Sequence, residues 1–186
     1  DTVTPTDQID AIALLDEGLA WAAERIAFVD VDHLDAPTPC EGWTLRDLLD
    51  HVLDTVGVFA DAIDGPAATP QEPGTWSTSF AELAARIDRG WTDPEAIDRT
   101  YDLRFGLMPG PVMASANLLE VVVHGWDVAQ ATGEAVAIPD ALAVPILAFA
   151  RAAITDDGRG DAFGPALAAD GTPGEQLVAF LGRTPR

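Results

Sequence analysis

Apolar residues recur at helical spacing through most of the chain. In residues 6–30 they fall at Ile9, Ile12, Leu15, Leu19, Ala22, Ile26 and Val29, which predicts a first amphipathic helix. "HLDAPTPCEGW" breaks the pattern with two prolines and a glycine. Thr44 then opens a second helix, because a hydroxyl followed three residues later by Asp47 fits a capping box. Its apolar stripe is Leu45, Leu48, Leu49, Val52, Val56, Phe59 and Ile63, and "GPAATPQEPG" (65–74) ends it. A third helix is expected over 77–91, with Phe80, Leu83, Ala84 and Ile87 inward. Between 92 and 110 the pattern weakens: "RTYDLRFG" alternates and reads as extended, and "LMPGP" reads as a turn. A fourth helix runs from Pro111, a residue tolerated in a first turn, to Thr132, with Gly133 as its C-terminal cap. A fifth covers 139–154, "TDDGRGDAFG" is a loop, and a short last helix covers 174–181. Four main helices joined by turns predict an all-α four-helix bundle with additional C-terminal helices, one domain over 1–186.

The fourth helix carries the chemistry. On a wheel of about 100° per residue its apolar positions cover nearly the whole circumference, so it is buried on most sides. Its polar residues Asn117, Glu120, His124 and Asp127 gather in one sector of roughly 80°. Residues four apart are neighbours at about 5–6 Å, so Glu120 and His124 can address one point. A buried carboxylate is costly unless it is paired or coordinated. Two readings stay open here: a hydrogen-bonded pair or network, or two ligands of a divalent cation. Imidazole and carboxylate suit zinc, nickel or iron, and a metal needs at least one more ligand. His33, in the Pro-rich connection, reads as a surface or hinge residue. His51, in the middle of the second helix and beside its apolar stripe, faces a neighbouring helix and is the further candidate.

Composition narrows the partners. The net charge is −21 and the cations are ten arginines, with no lysine. Such a surface repels nucleic acid and anionic membranes. No apolar run reaches the ~18 residues of a membrane span, and no secretory signal is visible, so the cytoplasm is the expected compartment. Cys40 is the only cysteine, which excludes an intrachain disulfide or a cysteine-based zinc cage. The chain holds no phosphate loop, no Gly-x-Ser-x-Gly motif and no basic stripe.

"PTPCEGWTLRDLLDHV" (37–52) and "LLEVVVHGWDVAQATG" (118–133) together resemble the metal-binding domain of mycothiol-dependent maleylpyruvate isomerases, within the DinB/YfiT-like superfamily. The ending "FGPALAADGTPGEQLVAFLGRTP" is similar to that of the short, single-domain actinobacterial branch. The resemblance implies a DinB-like four-helix bundle with a divalent metal, zinc before nickel or iron, held by His51, Glu120 and His124. It also implies that the open metal position accepts a small-molecule substrate or a low-molecular-weight thiol such as mycothiol. A homodimer is compatible with it. The isomerases carry a further C-terminal domain that is not expected within these 186 residues, and their acid-binding arginines have no matching positions here.

Around this set, Asp127 is either an acceptor for a ligand's ring N–H or a partner of the turn near Trp43. Asn117 either orients Glu120 or lines the pocket. Cys40 reads as a half-buried structural thiol, Trp43 and Trp126 as packing at the bundle end, and "RGD" (159–161) as chance. The expected function is a metal-dependent enzyme performing thiol transfer, isomerisation or hydrolysis on a small molecule. The alternatives are a non-catalytic, metal-stabilised stress or binding module, and a metal-free bundle with a hydrogen-bonded stripe.

Overall fold

The structure is a computed structural model that describes residues 5–67, 75–160 and 162–185. Its helices are α1 (Pro5–Ala27), α2 (Leu45–Asp64), α3 (Trp76–Trp91), α4 (Gly110–Thr132), α5 (Asp140–Ala153) and α6 (Pro173–Phe180), and a hairpin of β1 (Thr100–Leu103) and β2 (Gly106–Pro109) precedes α4. None of the helices is long and apolar enough to cross a membrane.

The helix ends follow local chemistry. α1 stops at Ala27, before the expected Val29, because the amides of Phe28 and Val29 turn back onto the carbonyls three residues earlier. At α2 the expected capping box is present: Thr44 Oγ1 accepts from the Asp47 amide, and Asp47 Oδ2 accepts from the Thr44 amide. Thr172 and Glu175 form the same box at α6, while Thr75 caps α3 through its hydroxyl alone, accepting from the Thr78 amide. α4 begins one residue before Pro111 and ends at Gly133, whose left-handed φ of 76° closes the cap. The expected first-stripe position Ile9 and part of the 65–74 breaker lie outside the residues whose side chains are described.

The side-chain contacts fix helix direction. Gly18 of α1 meets Leu118 and Val122 of α4, while Gly125 meets Trp21 and Ala22, so α1 and α4 run parallel. Asp50 bonds Trp76, and Asp61 and Asp64 pair with Arg86 and Arg89, so α2 and α3 also run parallel. Between these pairs the direction reverses. Cys40, just before α2, meets Asp127 near the end of α4, and Phe105, just before α4, meets Phe59 near the end of α2. The most extensive packing lies within each parallel pair, and α2 meets α4 across the reversal. A side chain at Gly125 would press on the Trp21 ring and the Ala22 backbone, and one at Gly18 would displace the tip of Leu118, so α1 and α4 pack closely at these two positions.

One expectation needs correction. "RTYDLRFG" does enter a strand, but Leu107, Met108 and Pro109 belong to β2 rather than to a turn, pairing with Asp102, Tyr101 and Thr100 in antiparallel register. The reversal falls at Arg104 and Phe105, with Gly106 at φ 120°. The Tyr101 hydroxyl donates to the Ala96 carbonyl at 2.8 Å and anchors the hairpin base. The hairpin tip therefore reaches α2, with Arg104 Nη2 donating to Asp54 Oδ2 at 2.5 Å.

Candidate metal centre

Four parts of the chain converge on one place. The connection before α2 makes a tight turn in which the Trp43 amide donates to the Cys40 carbonyl at 3.1 Å. Gly42, third in that turn, takes φ 78°, the left-handed value a type II turn places there. Thr38 Oγ1 braces the turn by accepting from the Cys40 amide and donating to the Trp43 carbonyl. The turn thereby aims Cys40 and Trp43 at the α2–α4 junction. α2 contributes His51, α4 contributes Glu120, His124 and Asp127, and the residues after α6 contribute Arg183.

His51, Glu120 and His124 come together as the sequence suggests. Glu120 Oε1 lies 3.1 Å from His51 Nε2 and 3.3 Å from His124 Nε2. The two imidazole centroids are 5.1 Å apart at 83°. Donor atoms bound to one tetrahedral zinc at ~2.0–2.2 Å stand roughly 3.3–3.5 Å from one another, so these spacings suit a shared ion. The side chains are 34%, 18% and 12% exposed for His51, Glu120 and His124, so the centre opens on the His51 side. The Trp43 ring stands edge-on to His51 at 4.8 Å. Trp43 is therefore a wall of this centre and not only packing at the bundle end.

Asp127 is fully buried and resolves the two roles open for it. Its Oδ2 lies 2.9 Å from His124 Nδ1. It also touches the turn, but through Cys40, whose Sγ lies 3.5 Å from the same oxygen. An ionised carboxylate only accepts, so the His124 Nδ1 carries the proton and donates, which leaves Nε2 facing Glu120 and His51. Asn117 is buried one turn before Glu120 with Oδ1 unpartnered, and Thr55, one turn after His51, is likewise unpartnered at Oγ1. Among the described residues, no hydrogen bond ties either side chain to the three converging groups.

The charges balance within the cluster. Burial alone would push Glu120 up, but the His124 charge and hydrogen bonds from both imidazoles hold it well below the usual carboxylate range. Burial would lower His124, yet the Glu120 charge and the Asp127 hydrogen bond raise it well above the ordinary histidine value. Asp127 stays low despite burial, through His124 and the Arg183 guanidinium.

Arg183 was not singled out by sequence reasoning. Its Nε donates to Asp127 Oδ1 at 2.9 Å and its Nη2 to Oδ2 at 2.7 Å. The available signal was an arginine after the apolar run "LVAFLG", which demands a buried anion, with Asp127 unassigned on α4.

Cys40, His124 and Asp127 form a second group of potential ligands. That group already has its cation, because Arg183 Nη2 sits 3.7 Å from Cys40 Sγ and pairs with Asp127. Nor is it a nucleophile–base–orienter triad. The thiol lies against Asp127 Oδ2, the oxygen on the Nδ1 side of His124, whereas a nucleophile would have to meet Nε2. His33 stays apart, capping a short turn through Nδ1 to the Asp30 amide. Arg159 of the "RGD" stretch is buried and donates to the Gly164 and Phe180 carbonyls, while Asp161 lies outside the described residues. A separate cavity of about 440 Å³, lined by Trp126, Gln130, Glu134, Ile138 and Val178, contains none of the cluster.

Fold and site together define a helical-bundle protein with a histidine–carboxylate centre between antiparallel helices. Residues 15–129 match the family model of the mycothiol maleylpyruvate isomerase N-terminal domain, and the chain belongs to that family. An uncharacterized protein of Mycobacterium tuberculosis is 34% identical over 171 residues, covering 88% of this chain and 92% of its own length. A second uncharacterized protein of that organism is 30% identical over 132 residues, 58% of this chain and 51% of its own. Crystal structures of mycothiol-dependent maleylpyruvate isomerase and of a point mutant of it superpose with TM-scores of 0.52 and 0.59. Both are 18% identical and cover 76% of this chain and 68% of theirs, which establishes the DinB-like bundle fold.

Proposed function

We propose that the chain binds one divalent metal ion through His51, Glu120 and His124 and acts as an enzyme on a small molecule, using a low-molecular-weight thiol of the mycothiol kind. The observation that carries this reading is that one carboxylate oxygen, Glu120 Oε1, lies within 3.3 Å of both Nε2 atoms. Zinc suits the donor set best, with nickel and iron as alternatives. Three protein ligands leave at least one position open, and a metal there lowers the pKa of a thiol or water bound to it. The chain's own groups prepare that position. Asp127 keeps the proton on His124 Nδ1, Trp43 walls His51, and the Asp54–Arg104 pair stands one turn along α2 from His51. The family and the two solved isomerases support the thiol partner, and the expected compartment is the cytoplasm, where such thiols are kept reduced. The reaction class is thiol transfer, isomerisation or hydrolysis.

A second reading is a non-catalytic module in which the ion only stabilises the bundle. What supports it is that these groups already tie α2, α4 and the segment after α6 together, Glu120 joining His51 to His124 and Asp127 joining His124 to Arg183. Metal analysis of untagged protein after dialysis tests the site: close to one equivalent is expected, and under a tenth of an equivalent with no uptake refutes both metal readings. Adding a low-molecular-weight thiol to the cobalt-substituted protein then separates them, since a change in the visible spectrum reports thiol ligation and no change favours the structural ion.

A further inference from the structure

We infer that Arg183 is a positioning residue of the His51–Glu120–His124 centre, acting through Asp127, so that the segment after α6 completes a site whose other members all lie within residues 15–129. The inference rests on the metal reading above.

The placement of Arg183 is built into the end of α6. Leu177, Val178 and Leu181 are buried and dock the helix on the bundle. The chain then reverses at Gly182, φ 83°, with the Gly182 amide on the Ala179 carbonyl and the Arg183 amide on the Val178 carbonyl. Gly182 packs on the backbone of Gly164, where a side chain would not fit. This cap directs the Arg183 side chain inward, where only 8% of the residue stays exposed. All three nitrogens of its guanidinium are engaged there: Nε and Nη2 on Asp127, Nη1 on the Leu181 carbonyl at 3.2 Å, with the Cys40 thiol beside Nη2.

The consequence reaches His124 by hydrogen bonding. Asp127 Oδ2 accepts from both Arg183 Nη2 and His124 Nδ1. Asp127 is fully buried, and Arg183 holds its carboxylate at both oxygens, with Nε at Oδ1 and Nη2 at Oδ2. Held in this way, Asp127 Oδ2 stays 2.9 Å from His124 Nδ1, which sets the ring plane of His124 and turns Nε2 toward Glu120, 3.3 Å away. Without Arg183 the Asp127 carboxylate loses the partner that fixes its plane, and His124 loses the contact that fixes its ring.

The test uses the full chain and zinc as probe. Zinc affinity is measured by chelator competition for the wild type, R183M, R183Q, R183K, D127N and the D127N/R183M pair, with melting curves to confirm folding. R183M and R183Q are expected to bind zinc roughly 10–100-fold more weakly, the range for loss of an outer partner of a ligand, with partial recovery in R183K. The double variant is expected to bind no more weakly than D127N, because the arginine acts through that carboxylate. A second readout needs no metal: the His124 Nδ1–H proton resonance, shifted downfield and protected from exchange in the wild type, is expected to weaken or vanish in R183M and R183Q. Wild-type zinc affinity in either variant, or an undisturbed resonance, overturns the role of Arg183. If the wild type binds no zinc, the metal reading fails, and the proton resonance still decides whether Arg183 holds His124.

Discussion

His51 and His124 come from helices that run in opposite directions, yet both direct Nε2 at the same oxygen of Glu120. Removing either imidazole leaves two of the three proposed ligands. H51A and H124A are expected to weaken zinc binding by more than the ~10–100-fold typical of an outer-sphere loss, read by chelator competition. H33A is the control, since His33 lies apart in its own turn, and an equal loss there refutes the assignment.

The cluster makes stability depend on pH in both directions when no metal is bound. Glu120 and Asp127 are lowered in the fold, so their contribution is present above their unfolded values of 4.5 and 3.8 and is lost as the pH falls toward the folded ones. His124 is raised, so its contribution is complete below 6.5 and fades as the pH rises through its folded value. The melting advantage of chelator-treated wild type over H124Q should therefore shrink above 6.5. A difference that stays flat from about pH 5 to about pH 9 contradicts this. With zinc at the proposed site the trend is expected to reverse, because a metal competes with a proton for His124 and binds better as the pH rises.

Asp16 of α1 and Asp88 of α3 meet side chain to side chain where the two helices pack, at a partly exposed position. Burial first, and then the Asp88 charge, raise Asp16 from 3.8 to about 6. An acid raised in the fold destabilises once ionised, so the penalty is absent below 3.8 and fully developed above about 6. D16N is expected to stabilise by under ~1 kcal/mol at neutral pH, because the pair is solvent-exposed, and by nothing near pH 4. Urea denaturation at both pH values checks it, and an equal effect at both refutes it.

Gly125 sits between two ligand-region residues, yet its role is packing. A side chain there meets the Trp21 ring and the backbone of Ala22 on α1. G125A is expected to cost ~1–3 kcal/mol in chemical denaturation, the usual range for overpacking. G57A, on an open stretch of α2, should cost nothing and serves as the comparison.

Much of this was legible in the sequence because the signals are local. The Thr44 capping box, the Gly133 cap and the polar file on α4 each depend on spacing within one helix, and all appear in the structure. The hairpin was only half legible. Leu107 and Met108 form a strand through pairing with residues before the turn, and no Asn-Gly or Asp-Gly marks the reversal at Arg104 and Phe105. Arg183 was illegible for a related reason. Its partner lies 56 positions away, and only tertiary packing shows that the tail turns inward. Trp43 read as a packing residue because its contact with His51 depends on how the preceding turn folds back.

The reversal between the two parallel helix pairs has a mechanical consequence. α1 and α4 form one slab and α2 and α3 another, and His51 stands on the second slab while Glu120 and His124 stand on the first. Neither slab can assemble the centre alone. Whatever joins His51 to Glu120 is a rivet through the seam, and any motion that slides the slabs must first draw that rivet.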